Sequence, residues 1–128
     1  MCRSEEISGE NRGRGDRGYV TAEAALVIPA LVLFAALLVW ALMAAAAQIR
    51  CVDAARAGAR AAARSEPAEM AVAAARAAAP PGAEVELERA GDLWRVRVVA
   101  PAPGPARLPV RLGARAVALA EDSVGPPP

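Results

Sequence analysis

The sequence predicts an α+β protein: a long amino-terminal transmembrane α-helix that extends out of the membrane, a short second helix, and a small three-stranded antiparallel sheet. Three observations predict it. Residues 24–47 are 24 consecutive residues without a charge or a strongly polar side chain. Residues 48–64 contain no Pro and are dominated by good helix formers. After Gly82 the apolar residues recur at every second position, which is the period of a strand.

The composition decides how the apolar run is read. A chain of 128 residues has room for one small domain. Its hydrophobic share is 55%, but 35 of those residues are Ala, and the aromatic total is four. A soluble core able to surround a 24-residue apolar helix cannot be built from this. A helix of that length spans about 36 Å, enough to cross a hydrocarbon layer of roughly 30 Å with some tilt. The transmembrane helix is therefore assigned to residues 19–47. Residues 1–18 are polar and Gly-rich, with four Arg and four acids, and are expected to form a disordered leader.

Residues 48–79 are read as a helical extension followed by the second helix. At 100° per residue, Asp53, Arg56, Arg60 and Arg64 share one face. Cys51, Ala55, Gly58, Ala59 and Ala62 form a stripe of small residues on the opposite face, suited to helix packing. That stripe receives either the chain's own sheet or a partner helix. The helical pattern breaks at Ser65-Glu66-Pro67, because Pro restricts the residue before it. The second helix then runs from about residue 68 to 79 and stops at Pro80-Pro81-Gly82.

Residues 80–122 form the β region. Val85 and Leu87 fall on one strand face, with Glu84, Glu86 and Glu88 on the other. Trp94, Val96 and Val98 lie together opposite Arg95 and Arg97, and the turn residues Ala90-Gly91-Asp92 between the two runs predict a hairpin. Its outward faces would be acidic on one strand and basic on the next, a favourable cross-strand pairing. The Pro-rich stretch 101–109 is a loop, since Pro cannot serve a central strand. Residues 110–120 give a third strand whose apolar phase slips at 113–115, which predicts a bulge. Residues 123–128 are expected to be a flexible tail.

Several function classes are disfavoured by the same residues. His is absent, which removes the commonest general base, and the few Ser and Thr have nothing to activate them. Two Cys make neither a disulfide framework nor a zinc site. The net charge of +1 has no clustered basic excess, so nucleic acid is not an expected partner. No catalytic residue, cofactor, metal or small-molecule substrate is expected. Cys51 is either a packing residue or, in an oxidising compartment, half of an intersubunit disulfide.

The informative residues stand where the leader meets the helix: Arg17-Gly18-Tyr19-Val20-Thr21-Ala22-Glu23. A basic, glycine-ended leader followed at once by an apolar helix with a single early acid resembles the processing site of type IV prepilins and pseudopilins. The longer stretch GYVTAEAALVIPALVLFAALLVWAL is similar to the TadE-like minor pilins of bacterial tight-adherence (Tad/Flp) pilus systems. Gly18, Val20, Glu23, Ala25 and Pro29 carry that resemblance, which is strong over about residues 17–64. It implies a pilin-like fold and cleavage between Gly18 and Tyr19 by a prepilin peptidase. It also implies a cytoplasmic-membrane location, with the leader inside and the carboxy-terminal region outside, and incorporation into a pilus with other pilin subunits and its assembly machinery. Glu23 would act in assembly by pairing with the new α-amino group of a neighbouring subunit.

The residues themselves leave alternatives open. Glu23 near the start of a membrane helix could simply snorkel to water at the interface. Pro29 removes a hydrogen bond to the Ala25 carbonyl and predicts a helix kink. Ala44–Ala47 could serve a signal peptidase, which would release residues 48–128 as a secreted binding module. An unprocessed single-pass envelope protein is the third reading. Charge does not choose the topology, because four Arg lie on each flank of the apolar run.

Overall fold

The computed structural model describes residues 12–104 and 109–120, with side chains described from residue 17 onward. Two helices precede three strands: α1 (Arg12–Ala63), α2 (Ala68–Ala78), β1 (Glu84–Ala90), β2 (Leu93–Pro101) and β3 (Arg111–Leu119). The chain divides into two compact units, residues 1–39 and 40–128. In the first unit the described structure is the amino-terminal part of α1 alone. The second unit holds the rest of α1, α2 and the sheet.

The helix begins earlier than the composition suggests. Residues 12–18 were assigned to a disordered leader, but they are helical. Adding a turn to an existing long helix needs no new nucleus, so even a Gly-rich segment can follow it. Residues 1–11, the rest of the expected leader, and the expected tail 123–128 lie outside the described residues. Pro29 lies inside α1, which is unbroken as a helical element.

The carboxy-terminal end of α1 is closed by backbone geometry. Ser65 adopts a left-handed φ of 58°. The Ser65 amide donates to the Ala62 carbonyl and the Glu66 amide to the Ala61 carbonyl. These two bonds make a Schellman motif, with Ser65 where glycine is usual and Pro67 just beyond it. The Arg64 guanidinium also reaches Glu66 Oε1 at 2.6 Å across the turn. α2 then carries Glu69 in its first turn and Arg76 in its last, each complementing the helix dipole.

The strands form an antiparallel meander in the order β1-β2-β3. Gly91 and Asp92 make the first turn, with Gly91 at φ 61°, the positive φ that a type II′ hairpin places at its first central residue. Val96, Val98 and Ala100 on β2 are buried, flanked by Val85 and Leu87 of β1 and by Leu112, Ala114 and Ala116 of β3. Against them pack Cys51, Ala54, Ala55 and Ala59 of α1 and Ala75 of α2. Gly58 lies in the middle of this seam. A Cβ there would stand 3.0 Å from Ala75 Cβ, 3.2 Å from Val96 Cγ1 and 3.3 Å from the Ala71 carbonyl oxygen.

The third strand corrects one expectation. Its register against β2 runs from Arg111 opposite Pro101 to Leu119 opposite Leu93 without a skipped residue, so no bulge is present. The apparent phase slip came from side-chain size. Leu112, Ala114, Ala116 and Ala118 take the inward positions, while the larger Val117 and Leu119 point outward and are exposed. The strand keeps strict alternation, and that fixes which side each residue takes.

On the outward face Glu86 stands opposite Arg97 and Glu88 opposite Arg95. The Glu86–Arg97 pair closes to 4.0 Å and Arg111 reaches Glu84 at 3.1 Å. All are exposed, so these pairs set register more than stability.

Two substitutions test this account. Gly58→Leu should lower stability by about 1–3 kcal/mol through overpacking, read as a lower thermal midpoint of the full chain in detergent. Ser65→Gly should raise stability by about 1 kcal/mol, the cost of a left-handed non-glycine residue. An unchanged midpoint for Gly58→Leu would mean that the seam opens freely in solution.

Candidate functional site

The residues singled out by the sequence fall into two groups. The first lies on the amino-terminal part of α1. Gly18, Tyr19, Glu23 and Pro29 all occupy this helix, and Tyr19 is 78% exposed. Thr21 Oγ1 donates to the Arg17 carbonyl at 2.9 Å, one turn back across Gly18. Nothing lies within 4 Å of a Cβ built on Gly18. The Gly18 position is thus open, helical and unconstrained by packing. Glycine there weakens the helix by roughly 0.5–1 kcal/mol relative to Ala, and no contact within the described structure requires it.

Glu23 follows on the same helix, exposed and without an ion-pair partner among the described residues. Around and beyond it the helix is apolar on every side: Leu26, Ile28, Leu31, Val32, Leu33, Phe34 and Leu37 are all more than half exposed. A helix that is hydrophobic all round needs a surrounding apolar phase. The described residues supply none, and the most apolar window of this helix has 0% of its residues buried. The helix is long and apolar enough to cross a membrane.

The second group is the small-residue stripe Cys51, Ala55, Gly58, Ala59 and Ala62. Every member is buried beneath the chain's own sheet and α2. Of the two occupants considered for that stripe, the structure places the chain's own sheet there. Asp53, Arg56, Arg60 and Arg64 are exposed on the other side. Cys51 is a free cysteine with 0% exposure, and burial pushes its thiol pKa up from the ordinary range. A buried neutral thiol packs as a small hydrophobe and is poorly placed for an intersubunit disulfide. No group of three metal-ligating side chains occurs among the described residues.

With this geometry in hand, comparison with known proteins becomes specific. Residues 18–60 match the model of a family described as TadE-like protein. Over this segment, about a third of the chain, the sequence is similar to that family. The matched segment opens on Gly18, takes in the exposed apolar run, and ends at the exposed Arg60, before the last stripe residue Ala62. The sheet lies outside it. No curated protein and no solved structure matches the chain.

One interaction escaped the sequence. Trp40 Nε1 donates to the Pro103 carbonyl at 2.6 Å, tying the β2–β3 loop to α1 across 63 residues of sequence. Gln48 Nε2 likewise donates to the Gly113 carbonyl at 2.9 Å. The available signal was a lone Trp near the end of an apolar run, where its indole N–H needs a partner.

The state of Cys51 gives a direct check. In the folded full chain carrying Cys2→Ser, maleimide should fail to label Cys51, while denatured chain should take up one label. Raised folded-state pKa also means that the unfolded thiol ionises first, so Cys51 should lower stability as pH climbs through the ordinary cysteine value and above it. Rapid labelling of the native protein would remove Cys51 from the core.

Proposed function

We propose that this chain is a minor pseudopilin of a Tad-type pilus, a structural protein processed by a prepilin peptidase after Gly18 and assembled at the cell envelope. The observation that carries this reading is the state of Gly18. A glycine that no packing contact requires sits at the opening of the TadE-like match, within α1 and just ahead of an apolar run that no described residue covers. A peptidase cleft that admits only a minimal side chain at this position supplies the missing reason. Glycine also weakens the helix at the bond to be cut, where a protease needs extended chain.

Glu23 supports the assembly half of the reading. A carboxylate on a lipid-facing helix costs up to a few kcal/mol at depth and less near the interface. Pairing with the α-amino group that cleavage creates on a neighbouring subunit would offset that cost in the assembled state alone. In this reading the leader lies inside, the sheet outside, and the partners are the peptidase, other pilin subunits and the assembly machinery. Pro29 would kink α1 where the helices of neighbouring subunits meet.

Release of residues 48–128 as a secreted module fits the structure poorly. α1 runs unbroken through residues 44–47, and a cut there would separate Trp40 from the loop it holds.

The test is co-expression with a prepilin peptidase. Wild type should lose the first 18 residues and begin at Tyr19, whereas Gly18→Arg should remain a precursor. Glu23→Ala should insert and be cut normally but should crosslink less to neighbouring pilins through cysteines introduced near Tyr19. Identical uncut amino termini in wild type and Gly18→Arg would dismiss processing, and equal crosslinking would leave Glu23 as a bystander.

A further inference from the structure

The contact between Trp40 and the β2–β3 loop bears on where lipid ends and protein begins. Residues 19–39 are 21 residues of α1, about 32 Å at 1.5 Å per residue, which alone matches a hydrocarbon layer of roughly 30 Å. Aromatic residues bracket this stretch, Tyr19 at its start and Trp40 just past its end. Tyr and Trp favour the two membrane–water interfaces, where an apolar ring and a polar atom can both be satisfied.

From Trp40 onward, parts of α1 are covered by the chain itself. Trp40, Ala44, Ala47 and Gln48 are half-buried, and Trp40 donates to Pro103. A loop with non-helical backbone cannot stand in hydrocarbon facing lipid, because its polar groups would lack partners. The run of uncharged residues continues to Ala47, but the loop at Trp40 stops the hydrocarbon short of it.

The loop is built to sit at this boundary. Its described residues 102–104 carry no charge, and the sequence of the loop holds one charged residue, Arg107. Gly104, at φ 144°, brings backbone against the indole: a Cβ there would stand 2.6 Å from Trp40 Nε1. Beside it a crevice is lined by Met43, Ala47, Pro81, Pro101 and Pro103, with the exposed Arg50 at its edge. Arg50 has no carboxylate partner among the described residues. Helical side chains lean toward the amino terminus, so Arg50 leans toward the Trp40 end of the helix.

We infer that residues 102–104, with Trp40 and Arg50, form a lipid-contacting foot that rests in the headgroup interface of the leaflet on the sheet side. The membrane span is then residues 19–39, and the occupant of the crevice is phospholipid. The foot holds the sheet against the bilayer and fixes how far α1 can slide through it. The inference rests on the membrane span of the proposed function but not on processing or pilus assembly.

The experiment uses the full chain with Cys2→Ser, reconstituted in phosphatidylcholine–phosphatidylglycerol vesicles. An environment-sensitive fluorophore is attached to single cysteines introduced as Pro103→Cys, Gly91→Cys and Leu31→Cys. The Pro103→Cys label should emit to the blue of the Gly91→Cys label and be quenched more by a shallow nitroxide lipid than by a deep one. The Leu31→Cys label should prefer the deep quencher. Lipid quenching at residue 31 with none at residue 103 overturns the foot and leaves the span intact. Absence of lipid quenching at residue 31 overturns the span and the foot together. A blue-shifted residue 103 label that no lipid quenches means protein covers the loop, and this too overturns the proposal. Should Pro103→Cys fail to fold, Ala102→Cys carries the same reading.

Discussion

The close approach of α1 to α2 and to Val96 of the sheet at Gly58 sets the dimensions of everything built above it. With contacts of 3.0–3.3 Å already waiting for a Cβ, the helix surface can hold nothing larger than Ala or Cys along that seam. The sheet must answer with side chains that fit the remaining space, and its inner face carries Val96, Val98 and Ala100 in the centre and Ala at three positions of β3. The largest fully buried side chains are Val96, Val98 and Cys51. At about 0.8 kcal/mol per buried CH₂ such a core is thin. Its strength comes from proximity, because short distances give many atoms dispersion partners at once. Strand alternation turns Val117 and Leu119 outward, because their neighbours Ala116 and Ala118 take the inward positions in an unbroken register.

One helix therefore serves two surroundings. Along residues 51–62 it is one-sided, small residues inward and Asp53, Arg56 and Arg60 outward, as a soluble helix packed on a sheet must be. Along residues 19–39 it is apolar on all sides, and the chain provides no cover. No change of secondary structure marks the passage between them. What changes is the pattern of side chains, from all-round Leu, Val and Ile to a narrow Ala, Gly and Cys stripe.

Much of this could be read from residue order. The charge-free run gave the exposed helix, Pro67 gave the break, and the alternation of Glu with Val and Leu gave β1 and its pairing with β2. These are local periodicities, and local periodicities survive folding. The failures have physical causes of the same kind. The apolar phase slip at residues 113–115 predicts a bulge in β3, but the strand keeps an unbroken register and simply carries Val117 and Leu119 on its outward side. The polar, charged, Gly-rich composition of residues 1–18 predicts disorder because nothing in them can be buried, but residues 12–18 extend a long helix, and propagation from such a neighbour is cheap. The Trp40–Pro103 bond joins residues 63 apart and leaves no trace in periodicity. The stripe around Gly58 was legible as a stripe, but its occupant was not, because small residues suit a sheet and a helix equally well.

The two helical glycines of α1 with described surroundings make the final distinction. Gly58 is crowded by three neighbouring groups, and the fold gives a full reason for it. Gly18 has open space around it on the same kind of backbone, and the fold gives none. Each weakens the helix by a comparable amount relative to Ala. At Gly58 that loss is returned within the chain as contact of α1 with α2 and with Val96 of the sheet. At Gly18 nothing within the described structure returns it, and five residues later Glu23 presents a second unreturned cost, a carboxylate on an apolar surface. Two such residues within little more than one helical turn point to other molecules as the source of compensation. A peptidase that requires glycine and a neighbouring subunit that supplies a cation would meet both needs with a single event, since cutting after Gly18 creates the amino group that Glu23 lacks.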